Sequence, residues 1–157
     1  GSGLISLDPE EFFPSSTMVF DLQPLLFEGM ILREKDLREF ITVHDWSIYR
    51  GQDVALLCSA DAIIPAWAWM LVASAMEPFA ASVFNGTLEQ LQEYLMLQRI
   101  AQLDSAPFQD ARVVIKGCGD KNIPTSVYVA LTNRLKPVVK SIMYGEPCST
   151  VPVYKRP

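Results

Sequence analysis

The chain has 157 residues, one histidine, three cysteines and a formal net charge of −5 at pH 7. That length suits a single domain with a real core, and an acidic balance with no run of Lys or Arg points away from nucleic acid and anionic membranes. Three thiols cannot pair completely, so the composition suits a reducing, cytoplasmic compartment rather than a disulfide framework.

Residues 1–17, with Pro9 and Pro14, read as an irregular N-terminal arm. Stretches 18–22 and 25–32 are apolar enough for a pair of strands around Gln23-Pro24 and Glu28-Gly29. Over 33–43, Leu37, Phe40 and Ile41 recur at helical spacing among charges, which predicts an amphipathic helix ending near His44. A histidine there suits the negative end of the helix dipole, a structural role. After a polar connector at 46–52, the apolar run 54–58 has the character of a parallel strand covered on both faces.

Pro65 fits the first turn of a helix reaching about Met76, since its missing N–H would be unsatisfied there in any case. This helix, with Trp67, Trp69, Met70 and Leu71, is apolar nearly all round but too short to span a bilayer. It is expected to be buried within the chain or to form a homodimer contact through 65–76. A strand at 82–85 follows, then a capping box at Thr87 and Gln90 that opens a helix to about 103. Strand 112–116, helix 124–135, strand 140–144 and a C-terminal tail at 146–157 complete the order. The alternation predicts a single three-layer α/β domain with a mainly parallel sheet.

Two stretches of this pattern are copies of each other. Residues 54–86 and 113–145 align at a constant offset of 59, with V-A-L-L-C-S-A-D-A-I-I-P at 54–65 against V-V-I-K-G-C-G-D-K-N-I-P at 113–124. Identity extends to Pro78/Pro137, Ser82/Ser141 and Gly86/Gly145, which marks a repeated βαβ unit. Two such units commonly meet through their first strands and leave a crevice at the carboxyl ends. In that arrangement Cys58 and Cys118 converge, and the tail brings in Glu146 and Cys148. Asp61 and Asp120 hold equivalent places in the turns.

A thiol ahead of a helix N-terminus has its thiolate stabilised, and the thiolate is both nucleophile and metal ligand. Cys58, Cys118 and Cys148, with Asp61, Asp120 or Glu146, could therefore hold zinc or an iron–sulfur cluster. The bland alternative is that each cysteine is a small core residue and each aspartate a helix cap. No C-x-x-C occurs, so such a site must be assembled from distant segments. The turn Lys116-Gly117-Cys118-Gly119 could rest an anion against the helix that begins near Pro124, but it matches no nucleotide-binding motif.

F-E-G-M-I-L-R-E-K-D-L-R-E-F at 27–40, H-D-W at 44–46, C-S-A-D-A-I-I-P at 58–65, V-V-I-K-G-C at 113–118 and S-I-M-Y-G-E-P-C-S-T-V-P-V-Y-K at 141–155 carry a resemblance. Through them the stretch from about 27 to 154 resembles an uncharacterised bacterial family, domain of unknown function 2480. The resemblance brings no established catalytic residue and implies, as partners, iron–sulfur assembly proteins. Taken together, the sequence favours metal or iron–sulfur binding in an accessory or assembly role. Two other readings stay open: a thiol-dependent enzyme with Cys118 as nucleophile, and a non-catalytic interaction module with structural cysteines.

Overall fold

The computed structural model describes residues 3–117, 119–146 and 148–157. In chain order its regular elements are β1 (Leu4–Leu7), β2 (Thr17–Asp21), α1 (Glu34–Val43), β3 (Asp53–Leu57), α2 (Ala66–Met76), β4 (Ser82–Asn85), α3 (Leu88–Ala101), β5 (Arg112–Ile115), α4 (Thr125–Leu135), β6 (Ser141–Glu146) and β7 (Ser149–Lys155). The protein is α/β with mainly parallel sheets, as the alternation predicts. No helix among the described residues is long and apolar enough to cross a membrane.

The chain forms two compact units. The first comprises Gly1–Pro14 and Gln92–Pro157, the second Ser15–Leu91, and the boundary falls inside α3. In the second unit β2, β3 and β4 make a parallel sheet in that order. The first unit has the order β1-β5-β6-β7, parallel except for β7, which pairs antiparallel with β6. Each unit is thus a βαβαβ run, β2-α1-β3-α2-β4 in one and β1-α3-β5-α4-β6 in the other. The second is inserted in the chain between the first strand and first helix of the first.

The copies at offset 59 match down to single hydrogen bonds. Gly51 N–H donates to the Phe79 carbonyl where Asp110 N–H donates to that of Val138, and Ala81 donates to Gln52 where Lys140 donates to Ala111. Gly51 and Asp110 share a left-handed backbone, with φ of 74° and 59°. The likeness reaches further back than the sequence repeat, because Asp45 caps Ser47 as Asp104 caps Ala106. Val54/Val113, Ala68/Val127, Val72/Leu131 and Met76/Leu135 are wholly buried pairs, each in the core of its own unit. Burial on that scale contributes about 1.5–3 kcal/mol for each large side chain.

Several local expectations change. The repeats build two sheets rather than one, so β3 and β5 are not neighbours: β3 is flanked by β2 and β4, β5 by β1 and β6. The arm holds β1, which pairs with β5 from Leu4↔Arg112 to Leu7↔Ile115. Of the expected strand pair near 18–32, only β2 is a strand. Gln23–Leu25 is a short 3-10 turn, and Phe27 and Ile31 share a single bridge across Glu28 and Gly29, both at positive φ, where a strand cannot continue.

The connector at 46–52 buries Trp46 and Tyr49, and the tail forms β7. Gly145 reaches φ +118° where that hairpin bends, and a Cβ on it would meet the Ser149 carbonyl oxygen at 2.6 Å, so glycine is required. The helix at 66–76 is one-sided: Ala68, Val72 and Met76 are buried, while Trp67 and Met70 are exposed. The capping box forms as expected, Thr87 N–H donating to Gln90 Oε1 at 2.9 Å and Gln90 N–H to Thr87 Oγ1 at 3.1 Å.

Candidate functional site

The carboxyl ends of β1 and β5 open into a cleft of about 330 Å³ in the first unit. Residues just past those strands line it, namely Asp8 and Glu10 after β1 and Lys116 and Gly117 after β5, together with Thr125 at the start of α4. In open parallel sheets this is where ligands bind, because loops leave the sheet there and helix N-termini point their free N–H groups at the opening. Tyr128 on α4 and Tyr144 on β6 form the aromatic wall, their rings edge to face at 5.5 Å. Both hydroxyls reach the Gly117 carbonyl oxygen in long hydrogen bonds, at 3.4 and 3.5 Å.

Polar contacts fix the rim. Asp8 accepts from Glu10 N–H at 2.9 Å, and its other oxygen lies 3.9 Å from Lys116 Nζ. Glu10 Oε1 accepts from Lys121 N–H at 2.5 Å, tying the arm to the turn before α4. Lys121 Nζ stands 5.2 Å from the centre of the Phe13 ring. The fit is close at two glycines: a Cβ on Gly117 would meet the Tyr144 ring at 2.7 Å, and one on Gly119 would strike the Glu10 carboxylate, so in either case that side chain would have to move.

The equivalent place in the second unit is held differently. By strand register Asp21 corresponds to Asp8, and Leu57 stands where the cleft has Lys116. Asp21 accepts from the N–H groups of Gln23 and Ser59, both at 3.0 Å, and from the Ser59 hydroxyl at 2.6 Å. Burial pushes its pKa up, but the Ser59 hydroxyl and then the two N–H groups outweigh this and hold it below the usual carboxylate range.

A depressed pKa stabilises the fold above the ordinary carboxylate pKa, and that contribution disappears as pH falls through the lowered value. Asp21→Asn is therefore expected to cost well under about 1 kcal/mol at neutral pH, because solvent screens this only partly buried carboxylate, with the deficit shrinking in acid. Urea melts at both pH values measure it. A deficit that does not change with pH would rule out the ionised carboxylate as the cause.

The metal and iron–sulfur reading is overturned by this arrangement. Cys58 is half-buried against the core of the second unit, and Cys148 is an exposed free thiol of the first. Cys118 lies outside the described residues. Asp61 and Asp120 are exposed, and Glu146 is half-buried at the end of β6. Among the described residues no three His, Cys, Asp or Glu side chains stand together to hold a metal ion. The proposed convergence required the first strands of the two repeats to be adjacent, and each instead pairs with an N-terminal strand of its own. His44 stacks on Phe40 at 4.5 Å, with Nε2 2.9 Å from the Tyr49 hydroxyl.

A family model described as Protein of unknown function (DUF2480) matches residues 1–156. The chain belongs to that family. No curated protein and no solved structure matches it. For this DUF2480 member the sequence pointed to Lys116, Gly117 and Gly119, which line the cleft, but not to Asp8, Glu10, Tyr128 and Tyr144. The available signal was the Asp-Pro pair at 8–9, set against Asp21 and Pro24 at the end of the other N-terminal strand.

Proposed function

We propose that the protein binds a small polar molecule carrying a carboxylate or phosphate in the cleft between β1, β5 and α4. The observation that carries this reading is the asymmetry between the units. Where Asp21 and Ser59 hydrogen-bond to each other in the second unit, the first has a cleft with Lys116 and Lys121 on its rim. The two lysines supply cationic donors, the start of α4 supplies N–H groups, and Asp8 and Glu10 can accept from hydroxyl or amino groups of the same ligand. A volume of about 330 Å³ suits a metabolite rather than a polymer.

A panel of small carboxylates and phosphates, scored by thermal shift and then by calorimetry, tests the proposal. At least one compound is expected to stabilise the protein saturably, by about 2.7 kcal/mol at a hundredfold excess over Kd. Lys116→Gln removes one charge-assisted contact and is expected to weaken that compound roughly tenfold. A panel without hits, or hits that bind Lys116→Gln equally well, would reject the site.

A further inference from the structure

A second concavity, of about 500 Å³, lies at the opposite ends of β5 and β6, where β7 finishes. Its apolar surface comes from Met143, Pro152 and Tyr154, and Arg112, Lys140, Lys155 and Arg156 stand around it. These cations are scattered in the sequence. The sheet gathers them, because the register places Arg112 opposite Ser141 and Ser141 opposite Lys155.

Arg112, Lys140 and Lys155 are exposed. Arg156 is fixed, donating through Nη1 to Asp110 Oδ1 at 2.8 Å and through Nη2 to the Val138 carbonyl at 3.0 Å, while its backbone N–H bonds the Lys140 carbonyl at 2.7 Å. Lys136 Nζ stands 5.1 Å from the centre of the Tyr154 ring. Asp110 is the one carboxylate tied to this group by an ion pair among the described residues, so the rim is strongly positive in a chain whose net charge is −5.

We infer that this concavity is a binding site for a small amphipathic anion, an aromatic or short aliphatic body ending in a carboxylate, phosphate or sulfonate. The apolar floor would take the body, and the head group would meet the cations at the rim. Charge complementarity selects the sign, since the four cations around the concavity outnumber Asp110, the carboxylate that interacts with Arg156 and Lys140. The volume selects a compact molecule over an extended chain. The proposal is independent of the cleft, which lies at the other ends of the same strands.

Anilinonaphthalene sulfonate, an apolar body with one anionic group, is the probe, titrated by fluorescence into the intact chain. One saturable site per chain is expected, weakening as salt screens the rim. Lys140→Glu with Lys155→Glu is expected to weaken binding at least about tenfold, while Lys140→Arg with Lys155→Arg keeps it. Both lysines are exposed, so the fold survives either pair of changes, and thermal melts verify this. Lys116→Gln leaves the probe affinity unchanged, which separates this site from the cleft. Equal binding by the charge-reversed protein, or of the neutral phenylnaphthylamine, would overturn the inference. So would binding to phosphatidylglycerol vesicles without binding of the free probe.

Discussion

Leu131→Ala is expected to lower the free energy of unfolding by about 3 kcal/mol, the largest single effect anticipated outside the ligand sites. Leu131 lies wholly buried on α4, in the core of the first unit with Val113, Val127, Leu135 and Ile142. Truncation removes three carbons and leaves a cavity that a core assembled from both a sheet and a helix cannot easily close. The equivalent Val72→Ala in the second unit removes two carbons and is expected to cost about 2 kcal/mol. Urea denaturation followed by far-ultraviolet circular dichroism gives both values. A loss below about 1 kcal/mol for Leu131→Ala would mean that α4 does not anchor this core.

Gly117→Ala should separate binding from stability. The added methyl would stand 2.7 Å from the Tyr144 ring, so the ring must leave its place against the Gly117 backbone. Tyr144 is 40% exposed, and the displaced group is the far end of a side chain, which keeps the cost to the fold below about 1 kcal/mol. The cleft has no such freedom, because Tyr144 forms its wall opposite Tyr128. Overpacking of about 2 kcal/mol then appears in binding, as a roughly thirtyfold weaker Kd for the compound that the Lys116 test selects. Calorimetry beside a thermal melt reads both quantities. Unchanged affinity would place the ligand away from Tyr144.

The correction of the cysteine site and the appearance of the basic concavity have the same cause. In the sequence, Cys58 and Cys118 seem paired because their turns are copies, yet a copy guarantees only similar local geometry. In the same way Arg112, Lys140, Lys155 and Arg156 form no run along the chain, but three adjoining strands collect them. The acidic total charge was a sound guide to the average surface and a poor one to this part of it. The cleft shows both sides at once, since Lys116 and Gly117 belong to a recognisable turn while Asp8 and Glu10 arrive from more than a hundred residues away.

By itself the sequence determined the features set by short-range forces. Helices α2 and α4 begin after Pro65 and Pro124 and span eleven residues each, because the same helix-start chemistry and apolar spacing act in both copies. The capping box at Thr87 and the strands expected at 54–58 and 112–116 follow in the same way. Tertiary structure alone decided which strands pair. A parallel strand's partner is fixed by non-local burial and register, and the short runs at Leu4–Leu7 and Thr17–Asp21 carry too little pattern to show that one completes β5 and the other β3. That choice divided the repeats between two sheets, put Cys58 and Cys148 in different units and set Asp8 and Glu10 beside Lys116 at the cleft.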